Sequence, residues 1–213
     1  MSGYDLVIVG MGSAGLTAAE FAASLDLRVA AVEGARLGGD CLWTGCVPSK
    51  ALLASGKAAH GMRTADRLGL PSVDPEIDTA RVFARIREVQ EKIAATDDSP
   101  ERYSAMGVEI VGGRARIAGA HEVAVDGRTL ETRFILVCTG SRPSIPDVPG
   151  LAEAGCLTSE SVFELERAPA SIVVLGGGPI GVELAQALRR LGVDVTLLQR
   201  NDRLLPKDEP ELT

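Results

Sequence analysis

One pattern occurs twice in this 213-residue chain and limits the folds open to it more than any other. Tyr4-Asp5-Leu6-Val7-Ile8-Val9 is an apolar run of strand length, and Gly10-Met11-Gly12-Ser13-Ala14-Gly15 follows at once. A helix over 16–25 and a strand over 27–32 come next, closing on Glu33. The second copy opens with the strand Ile172-Val173-Val174-Leu175 and the turn Gly176-Gly177-Gly178-Pro179-Ile180-Gly181. A helix over 182–191 and a strand over 193–198 complete it, closing on Gln199. From Gly10 to Glu33 is 23 residues, and from Gly176 to Gln199 is 23 again, so Glu33 and Gln199 are expected in equivalent places. Each copy reads as a βαβ unit with a G-x-G-x-x-G turn. The glycines permit a tight turn and let a pyrophosphate approach the helix N-terminus.

The two copies differ at the residue that meets the ribose. Glu33 offers a carboxylate to a ribose diol. Gln199 is neutral, and Arg200 follows it with Arg203 nearby. A missing acid beside arginine favours a 2′-phosphate, hence NADPH over NADH. The bland alternative is that Gln199 still binds a ribose hydroxyl and the arginines are merely exposed.

Between the copies lies Gly38-Gly39-Asp40-Cys41-Leu42-Trp43-Thr44-Gly45-Cys46-Val47-Pro48-Ser49-Lys50. In a regular helix, residues five apart lie on different faces and too far apart for a disulfide. Cys41 and Cys46 can therefore pair only if the backbone between them departs from the helix, and Gly45 permits that. Pro48 suits a first helical turn. A helix is thus expected from about Val47, with Cys46 near its N-terminus, where the dipole favours a thiolate. Such a pair reads as redox chemistry and not as a structural staple.

These residues resemble the redox-active motif of the class I flavoprotein disulfide reductases, and the mercuric reductase and dihydrolipoamide dehydrogenase branch fits best. The Cys-Val-Pro-Ser-Lys ending and the preceding glycine fingerprint carry the likeness, which extends through the chain as the N-terminal portion of such an enzyme. The resemblance implies an α/β fold: a Rossmann-like FAD-binding domain over 1–150, with a parallel sheet and a small antiparallel meander, then an incomplete Rossmann-like NAD(P)-binding unit over 151–213. It implies an electron path from NAD(P)H through FAD to a Cys41–Cys46 disulfide, and on to a small-molecule disulfide, dithiol or metal-ion substrate. Cys46 would be the thiol beside the flavin and Cys41 the interchange thiol. Lys50 and Glu183 would form a buried pair near the flavin's reactive edge. The FAD contacts implied are Gly10, Gly12, Ser13, Ala14, Gly15, Glu33, Gly39, Asp40, Lys50, Ala115, Thr139, Gly140 and Ser141. Those for the nicotinamide cofactor are Gly176, Gly178, Pro179, Ile180, Gly181, Glu183, Gln199 and Arg200. Asp40 stands where the family usually has threonine, and Trp43-Thr44 also departs from its pattern.

On that expectation the chain lacks the dimerisation domain and its His-Glu pair. No general base is assignable, since neither His60 nor His121 has a matching context. The full-length enzyme would be a homodimer, and this chain alone is expected to be inactive or weakly active.

The intervening sequence fits. An amphipathic helix is expected from Thr79 to about Ala95, with Val82, Phe83, Ile86, Val89 and Ile93 on its apolar face. Ser99 or Asp98 is placed to cap a short helix. Strand character follows, with an Asp126-Gly127 hairpin turn. Residues 134–138 read as a buried strand, with Cys138 an inert core thiol. Residues 145–155 read as a linker, and Cys156 has no evident role.

A formal net charge of −7 and a pI near 5.0 disfavour nucleic acid and anionic membranes as partners. No apolar run is long enough to cross a bilayer. No signal peptide is recognised, so a cytoplasmic location is expected, where a close cysteine pair is more often catalytic than structural. Zinc is disfavoured because Cys138, Cys156, His60 and His121 are scattered singly. Two other readings remain. One is a non-catalytic module that binds a nucleotide or a partner chain. The other is a thioredoxin-reductase-like enzyme, disfavoured because its pair has C-x-x-C spacing within the pyridine-nucleotide domain.

Overall fold

A computed structural model describes residues 3–212. The first βαβ unit is β1 (Tyr4–Val9), α1 (Ser13–Ser24) and β2 (Val29–Glu33). Two helices follow, α2 (Gly39–Trp43) and α3 (Cys46–Arg63), then α4 (Thr79–Ala95) and the short α5 (Pro100–Ala105). Ser99 caps α5, its hydroxyl accepting from the Arg102 N–H. Four strands come next: β3 (Glu109–Gly112), β4 (Ala115–Gly119), β5 (Glu122–Val125) and β6 (Arg128–Val137). The second βαβ unit is β7 (Ser171–Leu175), α6 (Pro179–Arg190) and β8 (Asp194–Leu198).

The chain divides into two compact units, residues 1–45 with 90–155 and residues 46–89 with 156–213. The division runs through α4 and between Gly45 and Cys46.

The first unit is built on one six-stranded sheet of order β3-β2-β1-β6-β5-β4. β3, β2, β1 and the second half of β6 are parallel, and β4, β5 and the first half of β6 form an antiparallel meander. One long strand therefore serves both layers. Residues 128–131 pair with β5, and from Thr132 onward β6 turns to β1. Asp126 and Gly127 both have positive φ, as a two-residue hairpin turn requires. The apolar core on one face joins Ile8, Leu16, Ala19, Val29, Ala31, Tyr103 and Val108, and on the other Val7, Ala30, Val32, Val123, Val125 and Leu130.

The expected buried strand over 134–138 is corrected here. Phe134 is 59% exposed and Val137 56% exposed. These residues are the continuation of the hairpin strand, and only β1 flanks them, because β5 ends its pairing at Glu131. An apolar run records burial expected by pattern, while actual cover depends on the layers that lie over it.

The second unit packs α3 and the first half of α4 with the β7–α6–β8 unit. Its core joins Ala51, Leu52, Phe83, Ile86, Val162, Phe163, Ala187, Leu188, Leu191 and Val193. β7 and β8 are parallel and in register from Ser171↔Asp194 to Leu175↔Leu198. Gly56 lets α3 and α6 approach closely: a Cβ there would stand 3.1 Å from the Ala187 carbonyl oxygen. Among the described residues, no helix is long and apolar enough to cross a membrane.

Candidate active site

The first glycine turn is shaped by contacts that exclude side chains. Gly10 has φ +99°, and a Cβ on it would lie 2.3 Å from the Cys138 carbonyl oxygen. A Cβ on Gly15 would lie 1.9 Å from the Gly10 carbonyl oxygen, so only glycine lets α1 begin this close to β1. Gly12 is the N-cap of α1 and no side chain caps that end, which leaves backbone N–H groups turned outward. Ser13 and Ala14 are exposed in the first helical turn.

A second glycine segment lies against the first. Gly38 N–H donates to the Met11 carbonyl, and Gly12 and Gly38 form an isolated parallel bridge. Gly39 has φ +51°, and a Cβ on it would lie 2.6 Å from the Gly12 Cα. Asp40 is exposed, and its carboxylate lies beside Gly140, 3.3 Å from where a Cβ would stand. Thr139 and Ser141 flank Gly140 on the exposed segment after β6. The structure thus gathers Gly10, Gly12, Gly39, Asp40 and Gly140 at the carboxyl end of β1 and β6. This is a crevice of backbone and small residues, and a helix N-terminus opens onto it. That cradle fits the diphosphate of a dinucleotide.

Glu33 closes the crevice on the β2 side. Its carboxylate accepts from the Met11 N–H at 2.7 Å and the Ala35 N–H at 2.8 Å. A carboxylate has about four acceptor positions, so capacity for a ribose diol remains. Ala115 opens β4 opposite Val125 and is half-buried against the meander core. Gly113 N–H donates to the Glu33 carbonyl, which brings the start of β4 alongside.

The second turn repeats the first. Gly176 has φ +107°, and a Cβ on Gly181 would lie 2.0 Å from the Gly176 carbonyl oxygen. Gly178 is the N-cap of α6, uncapped by any side chain, and Pro179 is its first residue. Ile180 is exposed. The Gln199 Oε1 accepts from the Gly177 N–H at 3.0 Å, the counterpart of the Glu33–Met11 bond. Its Nε2 donates to the Arg203 carbonyl at 3.2 Å, while Arg200 is exposed beside it. The equal spacing read from the sequence thus has a structural basis: in both copies the side chain at the end of the second strand, Glu33 as the last residue of β2 and Gln199 just after β8, fastens the glycine loop.

In the cysteine segment, α2 stops at Trp43 and α3 starts at Cys46. All four cysteines are thiols; Cys41 is half-buried and Cys46 exposed as the first residue of α3. Gly45 is needed, but for a reason other than the freedom expected of it. Its φ lies outside the left-handed region, and a Cβ would stand 2.8 Å from the Asp40 carbonyl oxygen. Glycine supplies space there, not an unusual dihedral angle. Burial pushes the Cys138 thiol above its ordinary pKa, consistent with an inert thiol.

Lys50 on α3 and Glu183 on α6 meet as expected, with Nζ 2.8 Å from Oε1 and 2.7 Å from Oε2. The expected burial is corrected: their side chains are 60% and 39% exposed. Both lie near the N-terminal ends of their helices, where solvent reaches them.

The sequence reading missed what fastens α2. Gln90, 6% exposed on α4, donates from Nε2 to the Leu42 carbonyl at 3.0 Å and the Trp43 carbonyl at 2.8 Å. Trp43 Nε1 donates to the Leu37 carbonyl at 2.7 Å, and the Arg36 guanidinium stacks 4.0 Å from its ring centroid. The available signal was a glutamine between Ile86 and Ile93 on an apolar helix face. Among the described residues, no group of three or more His, Cys, Asp or Glu side chains could hold a metal ion.

Known proteins are similar to this chain in sequence and in fold. The family described as pyridine nucleotide-disulphide oxidoreductase matches residues 4–213. A mercuric reductase of Bacillus cereus is 35% identical over 99% of this chain and 33% of its own length. A dihydrolipoyl dehydrogenase of Bacillus subtilis is 35% identical over 99% of this chain and 47% of its own. A solved structure of the HOCl-induced flavoprotein disulfide reductase RclA from Escherichia coli, as its Cu(II) complex, superposes with TM-score 0.81 at 27% identity. It covers 97% of this chain and 44% of RclA. The chain therefore spans about half or less of the length of these relatives.

Proposed function

We propose that this chain, which belongs to the pyridine nucleotide-disulphide oxidoreductase family, is the FAD-binding and part of the NAD(P)H-binding portion of a reductase acting through Cys41 and Cys46. The family and relatives imply FAD and a pyridine nucleotide. The observation that carries the reading is the matched pair of glycine turns, each fastened by the residue 23 positions on, with a C-x4-C segment between them. The division we propose, FAD site over 1–150 and nucleotide site from 151, follows the two turns rather than the packing units.

FAD, when bound, supplies two-electron transfer between a nicotinamide and a thiol pair. The chain's residues would act around it as follows. Gly10, Gly12, Ser13, Ala14, Gly15, Gly39, Asp40, Thr139, Gly140 and Ser141 would shape the diphosphate crevice, and Glu33 and Ala115 would flank the adenosine. Gly176, Gly178, Pro179, Ile180 and Gly181 would receive the nicotinamide cofactor's diphosphate at α6. Gln199 presents no negative charge there and Arg200 is exposed, which supports NADPH as the donor. Cys46, exposed at the start of α3, would face the flavin, and Cys41 would carry electrons to the substrate. Lys50, held by Glu183, would place positive charge where negative charge develops. The substrate class is a small disulfide, a dithiol or a thiophilic metal ion. A cytoplasmic location and a homodimeric full-length enzyme complete the proposal.

The test is a visible spectrum of the FAD-loaded chain during two-electron reduction. The expected result is long-wavelength absorbance, present in C41S and lost in C46S. A chain that takes up no FAD, or absorbance indifferent to C46S, would overturn the reading.

A further inference from the structure

Gln90 conflicts with its surroundings. It occupies the apolar face of α4 with Phe83, Ile86 and Ile93, yet it is one of the few buried polar side chains among the described residues. Its amide N–H groups are spent on two adjacent backbone carbonyls, those of Leu42 and Trp43. These are the last two residues of α2, whose end leaves carbonyls without intrahelical donors. In an uninterrupted helix, Leu42 and Trp43 would accept from the N–H groups of Cys46 and Val47. Gln90 supplies those two hydrogen bonds instead. It therefore satisfies the two carbonyls left open at the break that Pro48 sets between the helices, and so helps to keep α2 and α3 from joining into one helix. Were that helix to form, Cys41 and Cys46 would take the five-residue helical spacing that forbids a disulfide.

We propose that Gln90 is a positioning residue for the thiol pair: its amide holds the chain between Cys41 and Cys46 out of helical geometry, so that the two sulfurs can join. This rests on reading Cys41 and Cys46 as the redox pair. Trp43 holds the same turn from the other side, through Leu37 and Arg36. Oxidation forms the Cys41–Cys46 bond and releases two electrons and two protons. With glutathione disulfide as oxidant, its S–S bond breaks and two glutathione thiols carry them away.

The experiment equilibrates the 213-residue chain in glutathione buffers of varied ratio. Trp43, the sole tryptophan, gives a fluorescence signal within the segment, and peptide mapping identifies the disulfide. Gln90→Met keeps the side-chain length and loses both donors. Gln90→Glu keeps the shape, retains at most the single donor of a protonated acid, and decides the matter if the first variant does not fold. Ile93→Ala is the control for a purely structural effect, since it trims the same helix face and removes no donor to the turn. The expected result is at least a tenfold fall in the equilibrium constant for the Cys41–Cys46 disulfide in both Gln90 variants, about 30 mV for a two-electron couple. I93A should lower the unfolding temperature and leave that constant unchanged. Gln90 variants that lose stability but stay within twofold of the parent constant would overturn the role of Gln90. A parent chain that forms no Cys41–Cys46 disulfide at any ratio would overturn the redox reading itself.

Discussion

Replacing Gly15 and Gly12 with alanine, one at a time, should produce two different failures from positions three residues apart. A Cβ on Gly15 would stand 1.9 Å from the Gly10 carbonyl oxygen and 2.9 Å from its carbon. That oxygen is backbone and cannot rotate away, so α1 must withdraw from β1 by about 1.5 Å to reach ordinary contact. Overpacking on that scale costs about 3 kcal/mol, and the better helix propensity of alanine returns about 1 kcal/mol. The net loss of about 2 kcal/mol lowers the unfolding temperature by roughly 4–8 °C in a chain of this size. Gly12 differs. Its φ is −77°, open to alanine, and a Cβ would meet only the Gly39 Cα at 3.7 Å. Alanine is a poorer N-cap than glycine by about 0.5 kcal/mol, a shift of roughly 1–2 °C. That methyl group, however, would enter the crevice between the two glycine segments and should weaken FAD binding at least about tenfold. Thermal unfolding without FAD and equilibrium dialysis with it separate the outcomes. Equal unfolding temperatures for the two variants, or a stable G15A chain, would refute the steric reasoning.

Three further outcomes are expected. Lys50→Met should change stability by less than about 1 kcal/mol, because the Lys50–Glu183 pair is exposed; the reduction potential of FAD bound to the chain should nonetheless fall, as a dithionite titration against a reference dye would show. Gln199→Glu should shift nucleotide preference from NADPH towards NADH by about tenfold, since a carboxylate opposes a 2′-phosphate and receives a ribose diol; paired dissociation constants decide it. Asp98 has its pKa raised above 3.8 by burial first and by the neighbouring Asp97 second, with Arg102 opposing. The folded chain therefore holds that proton more tightly than the unfolded chain, and stability falls as pH rises from 3.8 through the folded value. Asp98→Asn should raise the urea midpoint at pH 7, with the gain vanishing towards pH 3.8; a gain independent of pH would contradict the assignment.

The sequence by itself determined the two βαβ units, their glycine turns and the equivalence of Glu33 and Gln199, while the structure showed that these two side chains fasten the turns. Gly10, Gly15, Gly176 and Gly181 are legible because their chemistry is local: a carbonyl stands where a Cβ would be. Glu33 and Gln199 were placed by counting, since β-strand and helix lengths fix where the second strand ends. The limits of α4 were also local, set by the apolar period and by the helix-breaking 97–100 stretch. The tertiary structure decided what depends on cover. Phe134 and Val137 read as core by their apolarity but are exposed, because burial belongs to the layers packed over a strand and not to the strand itself. Lys50 and Glu183 were paired correctly from motif positions, yet their exposure follows from where α3 and α6 begin. Gln90 lay beyond any local rule: its donors meet carbonyls 48 and 47 residues away, and only the packed helix brings them together. Periodicity can say which face of a helix is buried, but not which carbonyls will be waiting there.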